Sequence, residues 1–67
     1  MKITASGIEV DVPLDSTVEE ILSILGEKAR YDMAVELNRA FVHTRDYSTT
    51  TISEGDEIEM IYMASGG

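Results

Sequence analysis

The chain closes on Asp56-Glu57-Ile58-Glu59-Met60-Ile61-Tyr62-Met63-Ala64-Ser65-Gly66-Gly67, and the reading of this stretch decides the rest. Its first eight residues alternate with the period of a strand. Such a strand sends Ile58, Met60 and Tyr62 to one face and Glu57, Glu59, Ile61 and Met63 to the other. Its last four residues carry almost no side chain. The pattern predicts a core strand running straight into a bare tail with a free carboxylate at Gly67. At an average glycine usage of roughly 7%, two adjacent glycines at one fixed position arise by chance about 0.5% of the time. The stretches before the tail must therefore decide whether it is incidental.

Working back from the strand, Ser53-Glu54-Gly55-Asp56 reads as a turn, with Gly55 where a positive φ is needed. Residues 43–51 have no sustained period, and a helical turn is expected near Asp46-Tyr47. Met33, Val35 and Leu37 alternate as a second strand. Asn38-Arg39 turns it into a short one around Ala40-Phe41-Val42. Val18, Ile21, Leu22 and Leu25 recur at helical spacing behind a start signal. There, Ser16 or Thr17 can cap, with Glu19 and Glu20 three residues on. Gly26 is the expected left-handed stop.

At the N-terminus, Lys2–Ser6 and Ile8–Val12 alternate around a two-residue loop, Ser6-Gly7, and Pro13 ends the second segment. That register sets Ala5 against Ile8, Ile3 against Val10 and Met1 against Val12. On the other face it sets Lys2 against Asp11 and Thr4 against Glu9. The predicted class is α+β: four or five strands with one helix packed on one face and the other face open. Residues 1–63 form the domain, and residues 64–67 form a flexible tail.

Composition narrows the chemistry. A domain of 67 residues has one thin core and no room for a deep catalytic cleft. It contains no cysteine, so disulfides, thiolate metal sites and cysteine nucleophiles are excluded, as fits a cytoplasmic protein. No segment reads as a membrane span or signal peptide. The formal charge of −8, with dispersed Lys2, Lys28, Arg30, Arg39 and Arg45, argues against nucleic acid and favours a basic protein partner. With one histidine, His43, no triad or His pair can form, and the carboxylates lack calcium-loop spacing. Gly7, Gly26 and Gly55 lie in separate turns, so no phosphate loop is present. Neither catalytic residues nor a metal site is expected, and no bound cofactor.

The tail is what remains. An ionised C-terminal carboxylate is inert toward nucleophiles until it attacks the α-phosphate of ATP and becomes an acyl-adenylate. The attack requires threading the terminus into another protein's nucleotide site. Glycines at 66 and 67 place no Cβ near the carbonyl and permit extended conformations closed to other residues. Ala64 and Ser65 keep the lead-in narrow.

The run Val35-Glu36-Leu37-Asn38-Arg39-Ala40-Phe41-Val42, the turn Glu54-Gly55-Asp56-Glu57-Ile58-Glu59 and the final Gly66-Gly67 together resemble the ThiS/MoaD sulfur-carrier proteins of the ubiquitin-like β-grasp family. The resemblance is nearer to the thiamine-pathway type than to the molybdopterin-pathway type and covers essentially the whole chain. Ser65 and His43 depart from the family pattern, which often has an apolar residue or Gly, and Pro, there.

The resemblance implies a β-grasp fold and a carrier, not an enzyme. A ThiF/MoeB-like adenylating enzyme would use ATP to convert Gly67 to its acyl-AMP. Sulfur from a cysteine desulfurase persulfide would then leave a thiocarboxylate for a ThiG-like thiazole synthase. Ile61, Met63, Glu57 and Glu59 share the open face beside the tail and are the expected docking residues for the adenylating enzyme. Three other readings remain open at this point: a molybdopterin synthase small subunit, a ubiquitin-like protein modifier, and a module whose Gly-Gly is incidental.

Overall fold

The computed structural model describes residues 1–27 and 32–63. In chain order, β1 (Lys2–Ala5) and β2 (Ile8–Asp11) precede one helix, α1 (Val18–Ile24). Then come β3 (Met33–Leu37), β4 (Ala40–Val42), a 3-10 turn (Thr44–Asp46) and β5 (Glu57–Tyr62). The five strands form one mixed sheet in the order β2-β1-β5-β3-β4. The closing strand of the sequence is thus the middle strand of the sheet, parallel to β1 and antiparallel to β3.

The hairpin register is the one the alternation predicts, from Lys2↔Asp11 to Ala5↔Ile8. Met1 and Val12 exchange bonds at its open end, with Val12 N–H donating to Met1 O at 2.8 Å. Ser6 and Gly7 take φ values of 47° and 82°, the two positive angles that a tight hairpin turn matched to strand twist requires. The ion pair on this face differs from the expectation. Lys2 Nζ lies 3.7 Å from Glu9, the diagonal neighbour, rather than pairing with Asp11 opposite. A lysine stem is long enough to choose between the two.

Thr17, not Ser16, caps α1. Its hydroxyl accepts the Glu20 N–H at 3.2 Å, while the Glu20 carboxylate accepts the Thr17 N–H at 2.9 Å, closing a capping box. Ser16 is buried instead, its hydroxyl donating to Pro13 O at 2.6 Å. The helix stops as Gly26 predicts, at φ 76°. Gly26 N–H bonds Ser23 O and Glu27 N–H bonds Leu22 O, which satisfies two of the last carbonyls.

Val18, Ile21 and Leu22 of α1 pack onto Ile3, Ala5, Met33, Val35 and Ile58 of the sheet. Tyr47, from the 43–51 segment where periodicity offered no signal, and Ile52 just after it complete this core. Helical character there begins earlier than expected, at Thr44. Because α1 covers one face only, the alternate residues of β3, β4 and β5 look outward. The mixed five-stranded sheet with one helix is the β-grasp arrangement that the resemblance implies.

Candidate functional site

β5 is the element that delivers the C-terminus. Ile58 is fully buried beneath α1, so the strand is anchored at its start. Its outer half pairs with β3 through Glu36↔Glu59, Val35↔Met60, Ala34↔Ile61 and Met33↔Tyr62. The ladder is closed by Met63 N–H donating to Asp32 O at 2.8 Å. On the helix side the Tyr62 hydroxyl donates to the Glu27 carboxylate, just past the end of α1. The strand is therefore held to its last residue. Ala64, Ser65, Gly66 and Gly67, the predicted tail, lie outside the described residues.

Glu57, Glu59 and Ile61 share the helix-free face of β5, as alternation requires with Ile58 and Met60 turned to the core. Met63 follows the strand end and is exposed, as is Ile61. Tyr62 falls on the core side by alternation yet is 46% exposed, because the core thins out beyond the end of α1.

Two further residues belong to this face and were not singled out by the sequence. Val42 is buried opposite Val35, so Phe41 between its neighbours points outward, opposite Glu36. Phe41 is 59% exposed, with His43 edge-on to its ring at a centroid distance of 4.9 Å. One cross-strand row therefore reads Phe41-Glu36-Glu59, and the next reads Ala34-Ile61. The signal was present in the short Ala40-Phe41-Val42 alternation, but three residues do not say which face is buried.

Glu36 and Glu59 sit directly opposite each other, and among the described residues neither has a cation within ion-pair distance. Also among the described residues, no three His, Asp or Glu side chains are grouped to hold a metal ion. No described helix is long and apolar enough to cross a membrane. The site is thus a rigid strand end beside an apolar and acidic sheet face.

A family model described as the ThiS family matches residues 1–67. The chain superimposes on the crystal structure of a thiamine biosynthesis protein (ThiS) from Geobacter metallireducens with a TM-score of 0.86. The two are 30% identical and each is covered in full. A solution structure of a thiamine biosynthesis protein from the same organism matches with a TM-score of 0.75 and 33% identity, over 100% of this chain and 88% of that one. A curated relative, a thiazole synthase of Paramagnetospirillum magneticum, is 33% identical over 67 residues. The match spans all of this chain but only 20% of that protein's length.

Proposed function

The chain belongs to the ThiS family, and from that premise we propose that it is the sulfur carrier of thiamine biosynthesis, with Gly67 as the group that carries the sulfur. The observation that carries the reading is the whole-length family match on a chain whose central strand leads directly to Ala64-Ser65-Gly66-Gly67.

In the proposed cycle the Gly67 carboxylate attacks the α-phosphate of ATP, bound by a separate ThiF-like adenylating enzyme, and pyrophosphate leaves. A persulfide sulfur derived from cysteine then attacks the acyl carbon and displaces AMP. Cleavage of the resulting sulfur–sulfur bond by a thiol leaves the thiocarboxylate. That sulfur passes to a ThiG-like thiazole synthase, a partner supported by the relative in which a matching segment is part of a thiazole synthase. The carrier contributes reach and steric freedom. Gly66 and Gly67 fit a narrow channel, while Ala64 and Ser65 add little bulk. The adenylating enzyme docks, in this reading, on Ile61, Met63, Glu57 and Glu59; the exposure of Ile61 and Met63 next to the tail, with Glu59 and Glu57 exposed farther back along the same face, supports the assignment. ATP and persulfide sulfur are cytoplasmic reagents, so the proposed site of action is the cytoplasm.

The test is the intact mass of native, untagged protein before and after a thiol-alkylating reagent. Since the chain has no cysteine, a fast-alkylating sulfur belongs at the C-terminus. The expected result is one oxygen replaced by sulfur, with a single alkylation mapped to Gly67. No shift after incubation with adenylating enzyme, ATP and a sulfur source overturns the reading.

A further inference from the structure

β1 is too short to flank the whole of β5. Their shared register covers only Thr4↔Glu57 and Ala5↔Ile58. Ser6 N–H donates to Ile58 O at 2.9 Å, and the chain then turns away through Gly7 into β2. β5 continues to Tyr62. The mismatch leaves a notch in the sheet on the helix side, holding an open cleft of about 250 Å³. Ala5, Ile8 and Val10 line one wall, Met60 and Tyr62 the other, and Leu25 closes the end under α1.

The notch presents backbone as well as apolar side chains. Asn38 N–H bonds Glu57 O, and Met63 N–H bonds Asp32 O, so the odd-numbered residues of β5 direct their backbone groups to β3. The Ser6 bond to Ile58 O shows the even-numbered residues directed the other way. The N–H and C=O of Met60 therefore face the notch. No strand or turn residue among those described pairs with them there. Met60 is half-buried, and polar backbone in such a place is completed by water or by another chain. The edge of β5 at Met60, floored by apolar side chains, is what an extended peptide completes by strand addition.

We propose that this notch receives an extended segment of the adenylating enzyme, which adds a short strand beside Met60 when that enzyme takes the tail. The proposal rests on the carrier reading above. Continuity identifies the occupant: the tail, residues 64–67, follows Tyr62 of the notch wall after one residue. Four extended residues reach at most about 14 Å. An enzyme that draws Gly67 into its nucleotide site must therefore close to within that distance of the end of β5, against the notch. Glu27 stands at the rim and the chain carries a net −8, so the matching segment has a basic residue beside its apolar ones.

The experiment combines amide hydrogen exchange with adenylation kinetics on the full chain and its cognate adenylating enzyme. Ile8→Asp is the probe, since Ile8 lines the notch yet is 67% exposed and its loss leaves the core intact. Leu14→Asp, at a site 75% exposed and outside the notch lining, is the control. Exchange at the Met60 amide is expected to slow at least about tenfold in the complex, as a new hydrogen bond demands. Ile8→Asp is expected to raise KM for adenylation about tenfold with kcat unchanged, while Leu14→Asp behaves as wild type.

Unchanged Met60 exchange in a complex that still adenylates Gly67 overturns the proposal and leaves the carrier reading standing. So does an Ile8→Asp variant indistinguishable from Leu14→Asp. Slowing of Met60 exchange with rising protein concentration in the absence of enzyme assigns the notch to a second copy and also overturns it. Absence of adenylation of the wild-type chain removes both readings together, and is recognised without any variant.

Discussion

At the scale of single residues, Asn38 holds more of the molecule together than its exposure suggests. Its backbone sits at φ 51° in the turn between β3 and β4. Its Oδ1 accepts the Glu57 N–H at 2.9 Å, and its Nδ2 donates to Asp56 Oδ1 at 3.1 Å. Asp56 in turn accepts the Ser53 N–H at 2.8 Å, and Glu54 accepts the Lys2 N–H at 2.6 Å. The Leu37-Asn38 pair and the Glu54-Gly55-Asp56 turn, which carry the family resemblance, thus form a clasp around the start of β5. Their role is structural and lies at the opposite end of β5 from the tail. Asn38→Ala removes both side-chain bonds and puts at positive φ a residue that tolerates it less well than Asn, so a loss of about 1–3 kcal/mol is expected in urea unfolding. Asn38→Gly separates the two terms, since it relieves the strain but not the lost bonds. A cost below about 0.5 kcal/mol for both, the range of an ordinary surface change, means the clasp contributes nothing. Arg39, next in the turn at φ 70°, gives the opposite prediction. Arg39→Gly is expected to stabilise by about 0.5–1 kcal/mol, because the left-handed angle is costly for any residue with a Cβ. Thermal melting reads it, and an unchanged or lower midpoint refutes it.

At the scale of elements, what was legible in the sequence is what short-range physics encodes. Alternation places a strand at β5 and distinguishes its faces. The Ser6-Gly7 loop fixes the register of the β1–β2 hairpin residue by residue. The stripe from Val18 to Leu25 gives the helix and the side it buries. The strand order and the parallel β1–β5 pairing were not legible, because the partners lie more than fifty residues apart and no local pattern records their meeting. Tyr47 entered the core from the 43–51 segment, which has no period, and Ile52 from the position just after it. Of the candidate site, Ile61, Glu57 and Glu59 follow from alternation, while Phe41 and Glu36 needed the neighbouring strands to assign their face. Capping offers a check at this scale. Ser16 and Thr17 were equivalent candidates in sequence, and the structure assigns the cap to Thr17. Thr17→Ala is expected to cost about 1 kcal/mol through the open capping box. Ser16→Ala also costs stability, but through the lost bond to Pro13 O under the helix start. Helical circular dichroism of α1 on partial heating distinguishes the two, with earlier fraying expected for Thr17→Ala alone.

At the scale of the whole molecule, the distribution of charge sets stability against recognition. The chain carries −8, and on its helix-free face Glu36 and Glu59 stand directly opposite each other with Glu57 alongside. Like charges opposed across a ladder destabilise a sheet by roughly 0.2–1 kcal/mol. Phe41 and Ile61 flank the pair in the same and the adjoining row, so a partner that covers them also desolvates the carboxylates and must bring basic groups to meet them. The isolated domain thus carries a like-charge penalty that a basic partner, docked as proposed, would relieve. Glu59→Gln separates the two effects, since it keeps shape and hydrogen-bonding capacity while removing one charge. The variant is expected to melt higher than wild type, by an amount corresponding to a few tenths of a kcal/mol. It is also expected to associate several-fold more slowly with the adenylating enzyme in low salt, because electrostatic steering acts on the encounter rate. The difference should shrink as ionic strength rises to about 1 M, where the screening length falls to roughly 3 Å. A simple loss of fold lowers both melting temperature and association, and a charge irrelevant to docking raises the first without touching the second. Stopped-flow association at two salt concentrations, beside the melting curves, separates these outcomes. An association rate equal to wild type at low salt removes Glu59 from the docking residues.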